Sequence, residues 1–201
     1  MSTAELTKCY EDTIWVCRTL FTLGKVTGSS ANISFRYGDT IYISGSGTCF
    51  GTITKEQFAR VSLSGDVLAG PRPSKELPIH LAFYRKDPKI QAVVHTHGPY
   101  AELVSCLEPE DENNVIPAYT PYLGMKLGRV ALVPYAPPGS QELFALVDER
   151  IGCGDALLLA NHGAVVPGKS VMEAFYNIEE LEDSARVYYF LRNVPEAKRI
   201  G

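Results

Sequence analysis

Gln91-Ala92-Val93-Val94-His95-Thr96-His97 is an apolar run closed by two histidines two residues apart. A short continuous apolar run of this kind reads as a buried strand. Side chains alternate between the faces of a strand, so His95 and His97 at its end point the same way and can grip one metal ion together. The chain has four histidines, and a third, His162, stands in the small-residue turn Ala160-Asn161-His162-Gly163-Ala164. Three neutral imidazoles suit zinc or a similar divalent ion and leave a coordination position open for substrate. The pattern reads as that of a metal-dependent enzyme.

Helical and strand signals alternate on both sides of this strand. From about Ala4 to Leu23 apolar residues recur at helical spacing (Leu6, Cys9, Tyr10, Ile14, Cys17, Leu20, Phe21), and Gly24 stops the helix. The turn-rich loop 27–32 follows. Ile33-Ser34-Phe35-Arg36 and Thr40-Ile41-Tyr42-Ile43-Ser44, joined by Gly38-Asp39, read as a hairpin. Val61-Ser62-Leu63 and Asp66-Val67-Leu68 around Ser64-Gly65 read as another. Pro73-Ser74-Lys75-Glu76 opens a helix to about Arg85, with Ser74 as its N-cap. Residues 100–107 are expected to be helical, 130–133 and 156–159 to be buried strands, and 170–191 to form a long closing helix. The class is α/β with a mixed sheet, because the hairpins argue against a purely parallel one. No linker or internal repeat divides residues 1–201, which read as a single domain.

Composition narrows the partners. A net charge of −4 argues against a general nucleic-acid binder, and the basic pair Lys198-Arg199 falls in what reads as a frayed tail. No apolar stretch approaches the roughly 20 residues of a membrane span, and no signal peptide is apparent at Met1-Ser2-Thr3. The five cysteines are widely spaced with no C-x-x-C, so neither a disulfide framework nor a thiolate zinc site is indicated. A reducing cytoplasm is the natural setting.

Three sequence-distant loops supply Asn32, Ser46-Gly47 and Ser74-Lys75. Each offers small residues, free backbone amides and hydroxyl or amide donors. Ser74 and Lys75 also stand at a helix start, where the dipole favours an anion. Together the loops can hold a phosphate, although each alone is an ordinary turn. Glu76 is the candidate acid/base and metal ligand, while taken by itself it reads first as a first-turn glutamate favoured by the helix dipole. His80, four residues on, reads as a satisfied core histidine, though its E-x-x-x-H spacing from Glu76 keeps it a candidate.

Pro73-Ser74-Lys75-Glu76, His95-Thr96-His97 and Asn161-His162-Gly163, in this order, resemble the class II aldolase/adducin family, as does Pro134-Tyr135-Ala136-Pro137-Pro138-Gly139. The resemblance runs from about Glu5 to Asn193. It implies a three-layer α/β/α fold with a mixed, largely antiparallel sheet, assembled as a homotetramer with sites at subunit interfaces. It also implies that His95, His97 and His162 hold the metal. Glu76 would bind the metal in the empty site and act as acid/base in turnover. Asn32, Ser46, Gly47 and Ser74 match the phosphate loops. Zinc is the expected ion, with manganese or cobalt as alternatives.

Two positions depart from the family's aldolases, which commonly have Gly-Asn at Ala31-Asn32 and Ser-Ser-Glu at Ser74-Lys75-Glu76. Lys75, with residues 45–51 and 119–128, resembles the branch of 3-oxo-tetronate 4-phosphate decarboxylases. There the substrate's carboxylate gives Lys75 a counter-charge, although Lys75 pairing with the phosphate is nearly as good a reading. The expected reaction is loss of CO2 from a phosphorylated sugar acid through a metal-stabilised enediolate, giving dihydroxyacetone phosphate. Tyr119 or Tyr122, from a neighbouring subunit, would donate a proton. The alternatives are a fuculose-phosphate type aldolase or ribulose-phosphate 4-epimerase, and, less favoured, an adducin-like module without catalysis.

Overall fold

The structure is a computed structural model, and it describes residues 3–200. Strands β1 (Asn32–Tyr37) and β2 (Thr40–Ser44) form a hairpin whose register pairs Tyr37 with Thr40, and Gly38 takes the positive φ that this short connection requires. Strand β3 (Phe58–Val61) pairs with β2, and β4 (Val67–Ala69) lies outside it. On the other side β1 pairs with β5 (Ala92–Thr96), followed by β8 (Gly163–Gly168), β7 (Ala156–Leu159) and β6 (Val130–Val133). Six of the seven pairings are antiparallel, and only β6 with β7 is parallel.

Strand parity sorts the core into two layers. Ile33, Phe35, Ala92 and Val94 face α1 (Thr3–Thr22), α3 (Pro99–Ser105) and α6 (Val171–Leu191), packing with Val16, Leu20, Val104, Phe175 and Leu181. Ile41, Ile43, Val61 and Val93 face the opposite way, onto α2 (Leu77–Lys86) and α5 (Gln141–Arg150), packing with Ile79, Phe83, Leu143 and Val147. A short helix, α4 (Tyr122–Lys126), completes the set. The molecule is thus a three-layer α/β/α sandwich, as expected.

Three local expectations are corrected. Ser74 is not the N-cap of α2. Its carbonyl accepts from the Leu77 amide, so residues 74–77 form a turn and Glu76 becomes the cap residue. Pro78 then sits in the first helical turn, where its missing N–H costs nothing. The second hairpin pairs residues 60–61 with 67–69, so its first strand starts earlier than alternation alone indicated and Leu63 lies outside it. The tail is also anchored: Arg199 makes two 2.6 Å hydrogen bonds to the carboxylate of Glu110, and the Ile200 amide donates to Ala118 O.

Candidate metal centre and substrate cavity

Register brings the first pieces of the site together. Asn32 on β1 is the direct cross-strand partner of His95 on β5, and Ser34 is the partner of Val93. Alternation puts all four on the face covered by α2. His97 lies just past the strand end, and its Nε2 is 3.0 Å from His95 Nε2. His162 arrives from the β7–β8 turn. Asn161 there takes a left-handed φ of 54°, and the amides of Asn161 and His162 donate to Ser105 O and Ser105 Oγ. Gly163 is required by close approach, since a Cβ there would lie 2.4 Å from Thr96 O.

The three imidazole rings stand edge to face with centroids 4.8–4.9 Å apart. One nitrogen from each lies within 4.8 Å of the others. Glu76 completes the cluster, with Oε2 3.4 Å from His95 Nε2 and Oε1 3.5 Å from His162 Nε2. Burial holds His97 and His162 down to about 4, and pushes His95 below its ordinary value as well. All three rings are therefore neutral near pH 7. Burial raises the Glu76 carboxyl, but His95, the Asn32 amide and His162 outweigh it and hold the group below its ordinary value.

This donor set fits a divalent ion. His95 Nδ1 lies 2.9 Å from Ala164 O, a carbonyl that only accepts, so the proton sits on Nδ1 and the Nε2 lone pair faces the cluster. His162 Nδ1 is buried with no hydrogen-bond partner among the described residues. Neutral imidazoles converging beside a carboxylate form the donor set of a zinc-type site.

A cavity of about 330 Å³ opens beside these groups, lined by Asn32, Ser46, Gly47, Ser74, Lys75, Glu76, His97 and His162 together with Ser29, Ser30, Gly45 and Pro138. The loops singled out from sequence thus converge on the metal ligands suggested by the H-x-H and N-H-G motifs. Two details differ from expectation. The amides of Ser46 and Ser74 are committed to Arg72 O and Ser44 O, so at those two residues the cavity is offered hydroxyls instead of free amides. The Asn32 side chain is occupied too, donating from Nδ2 to Glu76 Oε2 at 2.8 Å.

Lys75 is exposed, and its Nζ rests 3.3 Å from Pro138 O. Gly139, at φ +79°, lets the lysine stem pass, since a Cβ there would lie 2.8 Å from Lys75 Cδ. Ser29, Ser30, Gly45 and Pro138 were not named as site residues from sequence. Ser29 and Ser30 stood only in a turn-rich loop, and Gly45 and Pro138 only within stretches that carry the family resemblance. Tyr119 and Tyr122 do not line the cavity. Tyr119 packs against the core beside the Arg199 guanidinium, and Tyr122 is 55% exposed.

Behind the site, Glu182 of α6 is buried and accepts from the Tyr100 and Ala101 amides at 2.8 and 2.9 Å. That carboxylate ties the start of α3, two residues after His97, to the long helix. Gly98 makes room for it, since a Cβ there would lie 2.5 Å from Glu182 Oε2.

The chain is similar to known proteins along most of its length. The pattern of the class II aldolase and adducin N-terminal domain matches residues 11–189. A 3-oxo-tetronate 4-phosphate decarboxylase of Escherichia coli O6:H1 is 40% identical over 186 residues, covering 92% of this chain and 88% of that protein. An L-fuculose phosphate aldolase of Methanococcus maripaludis is 38% identical over 181 residues, covering 90% and 96%. The crystal structure of YgbL from Klebsiella pneumoniae superposes with a TM-score of 0.92 at 35% identity, covering 97% of this chain and 94% of that one.

Proposed function

Because the chain belongs to the class II aldolase and adducin family, we propose that it is a metal-dependent carbon–carbon lyase that decarboxylates 3-oxo-tetronate 4-phosphate to dihydroxyacetone phosphate. The observation that carries this reading is the cluster of three neutral imidazoles on a buried carboxylate, beside a cavity lined by two of those imidazoles, the carboxylate and a lysine. His95, His97 and His162 would hold one divalent ion per chain, with Glu76 as a fourth ligand in the resting site. We infer zinc, with manganese or cobalt as the other ions such a donor set accepts. When bound, the ion supplies Lewis acidity to the oxygens on which negative charge develops.

The chain's own groups do the rest. Ser46, Ser74 and the surrounding loop residues bind the phosphate, and Lys75 stands where it can leave Pro138 O for the substrate's carboxylate. Breaking the C1–C2 bond releases CO2 and leaves its electron pair on C2, conjugated with the C3 ketone. Glu76, ionised in the resting site, takes up a proton from solvent and passes it to C2, so one proton is consumed and dihydroxyacetone phosphate is formed. An aldolase passes through the same enediolate with an aldehyde as leaving group, and the Methanococcus relative keeps that reading as the second one. The full set of imidazoles and the carboxylate argues against a module without catalysis.

We further infer a homotetramer in which Tyr119 or Tyr122 of a neighbouring copy reaches the cavity and acts as proton donor. The exposure of Tyr122, Met125, Trp15 and Phe190 supports an assembly that covers them. The five unpaired cysteines support a cytoplasmic setting. The deciding assay is CO2 release from 3-oxo-tetronate 4-phosphate by zinc-loaded protein, with dihydroxyacetone phosphate as co-product. No release, with retro-aldol cleavage of fuculose 1-phosphate by the same preparation, moves the function to the aldolase.

A further inference from the structure

Behind Glu76 a line of buried polar groups runs into the protein and ends away from solvent. Asn32 Nδ2 donates to Glu76 Oε2, and the other end of that amide, Oδ1, meets His80 Nε2. His80 Nδ1 is 2.7 Å from Ser34 Oγ, which is 2.8 Å from the Tyr84 hydroxyl. All five residues are buried, with His80 and Ser34 fully so. Glu76, His80 and Tyr84 are spaced by four along one face of a helix start, and Asn32 and Ser34 by two along the strand beneath. The two periodicities lay one stripe on the other.

The chemistry of each group leaves one direction for every bond. A carboxylate only accepts, so Asn32 turns its NH2 to Glu76 and its carbonyl oxygen to His80. That oxygen also only accepts, so His80 must carry its proton on Nε2 and offer a lone pair at Nδ1. Ser34 must then donate to Nδ1, and its own oxygen takes the Tyr84 proton. If the amide were reversed, an acceptor would face the carboxylate and every bond in the line would have to reverse.

We propose that His80, Ser34 and Tyr84 are positioning residues that, through Asn32, keep an N–H donor against Oε2 of Glu76. The proton that Glu76 exchanges with substrate is thereby confined to Oε1. This rests on the role of Glu76 given under Proposed function, but the polarity of the line can be measured without turnover.

The test uses zinc-loaded protein labelled with 15N-histidine. Only four rings contribute, and His80 is identified by the signal lost in His80→Gln. Long-range 1H–15N correlations are expected to show a neutral His80 protonated at Nε2. Ser34→Ala removes the donor to Nδ1, and the ring, still protonated at Nε2 but held from one side only, is expected to lose its fixed orientation. In that variant kcat falls by roughly tenfold to a hundredfold, as for other groups that orient a first-sphere residue, while KM and zinc content stay within about twofold. Tyr84→Phe, which trims only the far end, loses less. A wild-type His80 protonated at Nδ1, or doubly protonated, overturns the proposal whatever the activity. Wild-type kcat in folded Ser34→Ala and Tyr84→Phe also overturns it. If the wild-type protein turns over no substrate of the proposed class, the function assigned to the site fails instead, and the tautomer alone decides the polarity.

Discussion

Glu76 and the histidines lie within a few ångströms of one another, yet each is expected to fail differently when changed. His95→Ala removes a ring whose Nε2 lone pair is aimed by the Ala164 carbonyl, so the variant should lose both bound metal and activity. Glu76→Gln keeps the three rings and should retain metal while losing most turnover. Metal content by mass spectrometry, read beside initial rates, separates the two. Lys75→Ser should slow a carboxylate-bearing substrate more than an uncharged aldol substrate, because among the described residues the lysine head meets a neutral carbonyl, Pro138 O, and no carboxylate. Equal slowing of both, measured as kcat/KM, would remove Lys75 from carboxylate recognition. At this scale the sequence was highly legible: the H-x-H and N-H-G spacings already named the three rings. The occupation of Asn32 by Glu76 and His80 was not legible, because it depends on a partner 44 and a partner 48 residues away.

Elements carry the next set of constraints. The α3 start is fastened to α6 by Glu182, whose two accepted bonds replace the capping side chain that Gly98 cannot supply. Glu182→Ala leaves two amides at a buried helix end without partners. It should destabilise the fold by about 2 kcal/mol, measured by urea unfolding, while the same zinc stoichiometry is retained at saturating metal. Sequence periodicity found α1, α6 and the strands 130–133 and 156–159 to within a residue or two, because long amphipathic helices and continuous apolar strands carry strong signals. It misjudged the start of α2, where a serine after a proline imitates a cap but the helix begins two residues later. It gave no sign that Glu182 of α6 is buried.

The whole molecule registers the cost of its buried imidazoles as acid sensitivity. Burial holds the folded pKa of His80 at about 3, against an ordinary 6.5, and those of His97 and His162 at about 4. Between these values the unfolded chain binds protons that the folded chain does not. Stability is therefore fully present above about pH 6.5 and is lost as the pH falls through 4 toward 3. The melting temperature of metal-free protein should be flat above that point and decline below it. Replacing His80 by Gln should flatten part of the decline.

Residue types and spacing by themselves determined the class of this protein. Alternation and helical period indicate an α/β class with a mixed sheet, and three imidazoles near small-residue turns indicate a metal chemistry, because both depend only on local geometry. The three layers were implied by the motifs' family resemblance. What the tertiary structure alone decided is which of those groups touch. Antiparallel register sets Asn32 against His95, and α2 lays Glu76, His80 and Tyr84 over Asn32 and Ser34. The β7–β8 turn carries His162 to the same cavity. Hydrogen-bond direction and desolvation act through space at about 3 Å, and sequence separation carries no information about them until the sheet has closed.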